Sequence, residues 1–96
     1  LTGGSALNQE SLNITIEKLD KIADILYKGG TEEGFAYMNE VLPDISMIAT
    51  GIMDPNISTR LMNEALVPAL SAMEQQDGVW LADIIYYELL KILREL

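Results

Sequence analysis

Cysteine and histidine are both absent from the 96 residues of the chain. Their absence excludes a disulfide framework, a thiol nucleophile, a Cys/His zinc site, an imidazole base and a haem-ligating histidine. Positive charge is scarce as well, with six Lys and Arg against fifteen Asp and Glu and a formal net charge of −9. Nucleic acid backbones and anionic lipid surfaces are held by clustered Lys and Arg. Neither is therefore expected as a partner, and a neutral or basic protein is. Long apolar runs are missing too: none approaches the roughly 20 residues that span a bilayer. No charged segment followed by an apolar one forms a targeting signal, and the lack of cysteine fits a cytoplasmic setting. The chain opens without Met, and residues 1–7 read as a disordered or appended tail. Residues 8–96 are then a single domain, and with 49% of the chain apolar there is material for one core.

What is present is helical periodicity with regular punctuation. Gly29-Gly30, Asp54-Pro55-Asn56 and Gln76-Asp77-Gly78 divide the chain into four segments of about twenty residues. Each is about 30 Å long as a helix, and the pattern predicts an all-α, antiparallel up-down four-helix bundle. In the first segment, from Asn8 or Ser11 to Lys28, Leu12, Ile16, Leu19, Ile22, Ala23 and Leu26 share one face. Ile14 and Ile25 project elsewhere, beside Lys18 and Lys21, as surface residues or the edge of a contact. The second segment opens at Thr31, a candidate cap, and its apolar arc includes Phe35, Tyr37, Met38, Val41, Ile45, Ile48 and Met53. Pro43 interrupts it without changing the phase of the arc, so this helix is expected to kink or split there. The third, from about Ser58 and capped by Asn56 or Ser58, aligns Leu61, Met62, Ala65, Leu66, Ala69, Leu70 and Met73. Pro68 falls on the opposite side with Glu64. The fourth, capped by Asp77, is apolar around most of its circumference, with Val79, Leu81, Ala82, Ile85, Tyr86 and Leu89 on its main face. It should be the most buried helix.

Carboxylates are the only plentiful reactive groups, so an enzyme or a metal site has to be built from them. Glu40 and Asp44 form an i, i+4 pair within reach of a hard cation or a basic side chain. Asp54, Asn56 and Ser58 alternate like calcium-loop ligands, yet the loop glycine and the closing Glu are missing. Gly29-Gly30 lacks the Lys-Ser/Thr of a phosphate loop. The acids mostly lie opposite the apolar stripes, where solvent keeps them ionised, and a solvated acidic face is the simpler account. No catalytic residue, cofactor or metal is assigned.

Binding asks only for surface. Trp80, Ile84 and Tyr87 follow i, i+4, i+7 spacing on the fourth helix and lead towards Lys91. Such residues suit a helix-on-helix contact, inside the monomer or with a partner. The five Met residues, at 38, 47, 53, 62 and 73, read mainly as core filler, with Met47 off its arc. The expected function is a non-catalytic protein-interaction module, self-associating as a homodimer or binding another protein. Its candidate contact residues are Trp80, Ile84, Tyr87, Lys91, Ile14 and Ile25.

Two stretches carry a resemblance. LDKIADILYKGGTEEGFAYMNEVL, residues 19–42, and ALSAMEQQDGVWLADIIYYELLKIL, residues 69–93, resemble small all-helical proteins of Gram-positive bacteria. The last helix of those uncharacterised proteins has a Leu-Ala-Asp-Ile/Leu-Leu-x-Tyr-Glu-Leu cadence, which reads here Leu81-Ala82-Asp83-Ile84-Ile85-Tyr86-Tyr87-Glu88-Leu89. The resemblance implies a bacterial helical bundle and brings no catalytic residue with it. Flagellar export chaperones are similar in class, as small acidic helical bundles. That likeness implies an alternative in which a groove takes an amphipathic helix of a client. A carboxylate-based enzyme or a weak divalent-cation site is the alternative from another class.

Overall fold

Helix signals along the chain are answered one by one in a computed structural model that describes residues 8–96. The expected N-terminal tail, residues 1–7, lies outside the described residues. Helix α1 spans Gln9–Tyr27 and is capped by Asn8, whose side chain accepts from the backbone N–H of Glu10 at 2.9 Å and of Ser11 at 3.1 Å. It ends in a Schellman turn. Gly29 takes φ +92°, its N–H donates to Leu26 O, and the Gly30 N–H reaches Ile25 O.

Helix α2 spans Thr31–Thr50. Thr31 does not cap it: Gly30 holds the cap position without a side-chain bond, and Thr31 lies against Gly78 at the start of the last helix. A Cβ at Gly78 would meet the Thr31 hydroxyl at 2.8 Å, so the close approach of these two helix starts requires glycine there. Helix α2 is unbroken through Pro43, which leaves the Asn39 carbonyl without its helical donor inside a continuous helix rather than dividing it. Glu32 and Glu33 occupy the positive first turn.

Helix α3, residues 55–74, starts earlier than the sequence suggested. Asp54, not Asn56 or Ser58, is the cap, accepting from Asn56 N, and Pro55 opens the helix with the fixed φ that suits a first position. Over Leu61–Leu66 the helix widens into a π-type turn, closed by the Val67 N–H on Met62 O. Pro68 follows directly. It offers no N–H to the Glu64 carbonyl and would crowd it, and the wider turn relieves that conflict. Helix α4, residues 78–94, is capped by Asp77, which accepts from Trp80 N at 2.9 Å. It carries its own π-type turn at Ile85–Leu89, closed by Leu90 N–H on Ile85 O. The two π turns pack against each other.

The fold is all-α, with four helices and, among the described residues, no strand. Helix α4 touches the other three and is the most buried, as its apolar circumference implied. Helix α1 lies between α2 and α4, whereas α2 and α3 scarcely touch although they are consecutive. The core joins Leu12, Leu19 and Leu26 of α1, Met38 and Ile45 of α2, and Leu81, Ile85 and Leu89 of α4. Against them α3 presents Leu61 and a row of small residues, Ala65, Ala69 and Ala72, which lets its backbone come close. Thr15 is buried with this core rather than facing solvent.

Several residues expected inside are outside. Of the five methionines only Met38 is fully buried; Met53 is 90% exposed and Met62 half-exposed, while Met47, expected off its arc, is 72% exposed. Leu70, Val79, Tyr37 and Tyr86 are exposed as well. The reason is the narrowness of the seams. Helix α3 meets little besides α4, so it buries only Leu61 and one row of alanines completely. Tyr86 stands at the edge of α4, beside Ala23 and Tyr27 of α1, where no further helix covers it.

Candidate functional site

The side of α4 that borders α3 is built by a simple helical repeat. Trp80, Asp83, Ile84, Tyr87 and Glu88 fall at i, i+3, i+4, i+7 and i+8 and so share one face over about two turns. Opposite them, Glu64 and Pro68 of α3 stand at i, i+4. Together these side chains line an open groove between the two helices. Both π turns border it: Glu64 belongs to the first, Tyr87 and Glu88 to the second. Such turns recur at functional sites because the extra residue turns side chains away from the regular helical register.

The three residues of the predicted stripe sit at different depths. Ile84 is 5% exposed and belongs to the core, Trp80 is half-buried and packed against it, and Tyr87 is 62% exposed. The stripe is therefore a ramp from core to solvent and serves the monomer and its surface at once. Tyr87 stacks edge to face on Tyr86, with ring centroids 5.2 Å apart and planes at 84°. Lys91 is exposed but outside the groove lining. Ile14 and Ile25 lie elsewhere. Ile14 lines a recess between α1 and α2 with Lys18, Asp44 and Met47, and Ile25 faces Lys21 and Tyr37 in another. The structure thus gathers Trp80, Ile84 and Tyr87 and leaves Ile14, Ile25 and Lys91 apart from them.

Sequence reasoning missed the acids of the groove. The pattern assigns Asp83 and Glu88 to the polar side of the fourth helix and Glu64 to the side of the third segment opposite its apolar face; each in fact borders the aromatic stripe. Their i+3 and i+4 offsets from Trp80 and Ile84 were a usable signal for two of them, but Glu64 is brought in by the packing of α3. Among the described residues no Lys or Arg forms an ion pair with any of the three. Asp83 has a different partner. The Tyr27 hydroxyl of α1 donates to its Oδ1 at 2.6 Å. Partial burial, this hydrogen bond and the Asp83 charge push the Tyr27 hydroxyl up to about 12.

At one end of the groove Arg60 forks onto Glu95 through two bonds, of 2.9 and 3.0 Å. These bonds hold Arg60 above its ordinary value and Glu95 below its own, and the nearby charges of Glu64 and Glu88 add to the first effect. Glu40 and Asp44, the carboxylate pair considered for a cation, are divided in role. Asp44 takes Lys18 at 3.6 Å, and Glu40 stays exposed. Among the described residues no three carboxylates converge on a point where a metal ion would sit. No helix among them is long and apolar enough to cross a membrane.

Residues 9–96 match the model of a family described as a domain of unknown function, DUF8042. Comparison with the curated proteins and with the solved structures found no match.

Proposed function

The chain belongs to the DUF8042 family, which brings no activity with it, and from its surface we propose that the domain is a non-catalytic protein-interaction module that seats its partner in the α3–α4 groove. The observation that carries this reading is the ramp of Trp80, Ile84 and Tyr87, anchored in the core at one side and open at the other. Aromatic side chains fixed on a rigid helix expose contact area at small entropic cost and are favoured as binding anchors. The neighbouring π turns and the carboxylate rim support the same reading. Pairing two copies through this face would set Glu64, Asp83 and Glu88 of one, none of them in an ion pair among the described residues, against those of the other. Like charges across an interface are costly, so a different protein fits the groove better than a second copy.

The test is site-specific photo-cross-linking in the producing cell, with the reactive side chain placed at Tyr87 and, as a control, at the more exposed Met53. A discrete adduct from position 87 and none from 53 is expected. An adduct with the mass of two chains would reassign the groove to a homodimer, and no adduct from 87 would remove the reading.

A further inference from the structure

Resting on that reading, the geometry points to a partner of one chemistry: we propose that the groove receives an arginine-bearing amphipathic helix of another protein. The first ground is charge. Glu64, Asp83 and Glu88 rim the groove, and none of the three is in an ion pair among the described residues. Like charges gathered beside half-buried rings are stabilised when a cation arrives, and the chain's net −9 steers such a cation in.

The second ground is the pairing of those acids with rings. Guanidinium is planar, weakly hydrated and able to bond a carboxylate with two parallel N–H donors while it lies on an aromatic face. A lysine ammonium is a compact, strongly hydrated charge and gains less in such a place. Trp80 and Tyr87 supply the rings, with Asp83 between them along α4 and Glu88 next to Tyr87. The protein already uses the same fork beside the groove, where Arg60 of α3 meets Glu95 beyond α4.

The third ground is shape. From residue 80 to residue 88 the lining runs about 12 Å along the helix axis, the length of two turns of a partner helix laid alongside. Of the row at i, i+4, i+7, Ile84 belongs to the core, while Tyr87 and the open edge of Trp80 stand two turns apart on one face, a spacing that a helix laid alongside can meet. A second copy fits less well, since of its two arginines only Arg94 is outside an ion pair among the described residues. Its six cations are spread over the chain, and Lys18, Lys28 and Arg60 are already in ion pairs.

The experiment uses a synthetic amphipathic helical peptide with a leucine stripe flanked by arginines, and analogues in which Lys, Gln or Glu replaces every Arg. Binding to the full chain is followed by the fluorescence of Trp80, the only tryptophan, and by calorimetry. The Arg peptide should bind one to one, about tenfold or more tighter than the Gln peptide, with the Lys peptide between them and the Glu peptide not binding. Replacing the rim together, Glu64→Gln, Asp83→Asn and Glu88→Gln, should cost about tenfold, whereas Glu32→Gln, Glu33→Gln and Glu40→Gln, the same charge removed from α2, should change affinity less than about threefold. Circular dichroism of both variants verifies that they fold. Equal losses from the two triple variants would mean diffuse attraction and overturn the proposal, as would a Gln peptide that binds as tightly as the Arg peptide. Either result leaves the interaction module standing if the Tyr87 cross-link forms. Failure of every peptide overturns the proposal, and the absence of that cross-link removes the module as well.

Discussion

A phenol and a carboxylate 2.6 Å apart, Tyr27 and Asp83, join α1 to α4 at the edge of the groove. Burial first, then the hydrogen bond to Asp83 and the Asp83 charge, hold the Tyr27 hydroxyl up near 12, from an ordinary value of 10. The folded state thus keeps a proton that the unfolded chain releases first. The stabilisation from this contact is complete below pH 10 and is lost as the pH rises towards 12. In an alkaline titration followed by tyrosinate absorbance, one of the four tyrosines should ionise near pH 12, and Tyr27→Phe should delete that late step. A late step that survives the substitution would refute the assignment. Residue-scale legibility divides along the same line. Trp80, Ile84 and Tyr87 were visible because their spacing is local. The Tyr27–Asp83 bond spans 56 positions, and no local pattern encodes it.

Helix ends are the best-determined elements, because capping is chemistry between near neighbours. Asn8 and Asp77 cap as side chains of their type do, and Gly29 enters the left-handed region that Gly adopts freely. The turn from α3 to α4 repeats the Schellman pattern with a less suitable residue. Gln76 sits at φ +56°, with its N–H on Met73 O and the Asp77 N–H on Ala72 O. A side chain in that conformation costs about 1 kcal/mol relative to glycine. Gln76→Gly should therefore raise stability by about 0.5–1 kcal/mol, read as an increased urea midpoint at unchanged slope. The π turns are the opposite case. Pro68 gives a reason for the one at Leu61–Leu66, but Ile85–Leu89 contains no breaker. It packs on the facing turn of α3, a contact between helices that no local pattern encodes.

At the scale of the molecule, α4 is central and α3 is attached to it alone for most of its length. The Arg60–Glu95 fork ties the start of α3 to the end of α4. Glu95 is held below its ordinary value of 4.5, chiefly by the hydrogen bonds from Arg60. The pair's contribution is therefore complete above pH 4.5 and disappears as the pH falls through the lowered value. Glu95→Gln should flatten the acid limb of a melting-temperature profile and leave the neutral plateau nearly unchanged, since exposed pairs contribute little. An acid limb identical to that of the parent chain would show that the fork is not maintained in solution.

The sequence by itself determined the helices, their number and most of their ends, since these follow from periodicity, caps and breakers acting over a few residues. It also determined that α4 would be the central helix, because its apolar residues exceed a single packing face. Only the tertiary structure decided which apolar residues remain outside. Burial depends on how many neighbours a helix receives, and α3 receives essentially one, so Met62 and Leu70 stay in solvent while Ala65 and Ala69 are buried. The groove is of the same kind. Its stripe lies along one helix, but Glu64 and Pro68 come from another, and packing α3 on α4 is what turns an aromatic row into an acid-rimmed site.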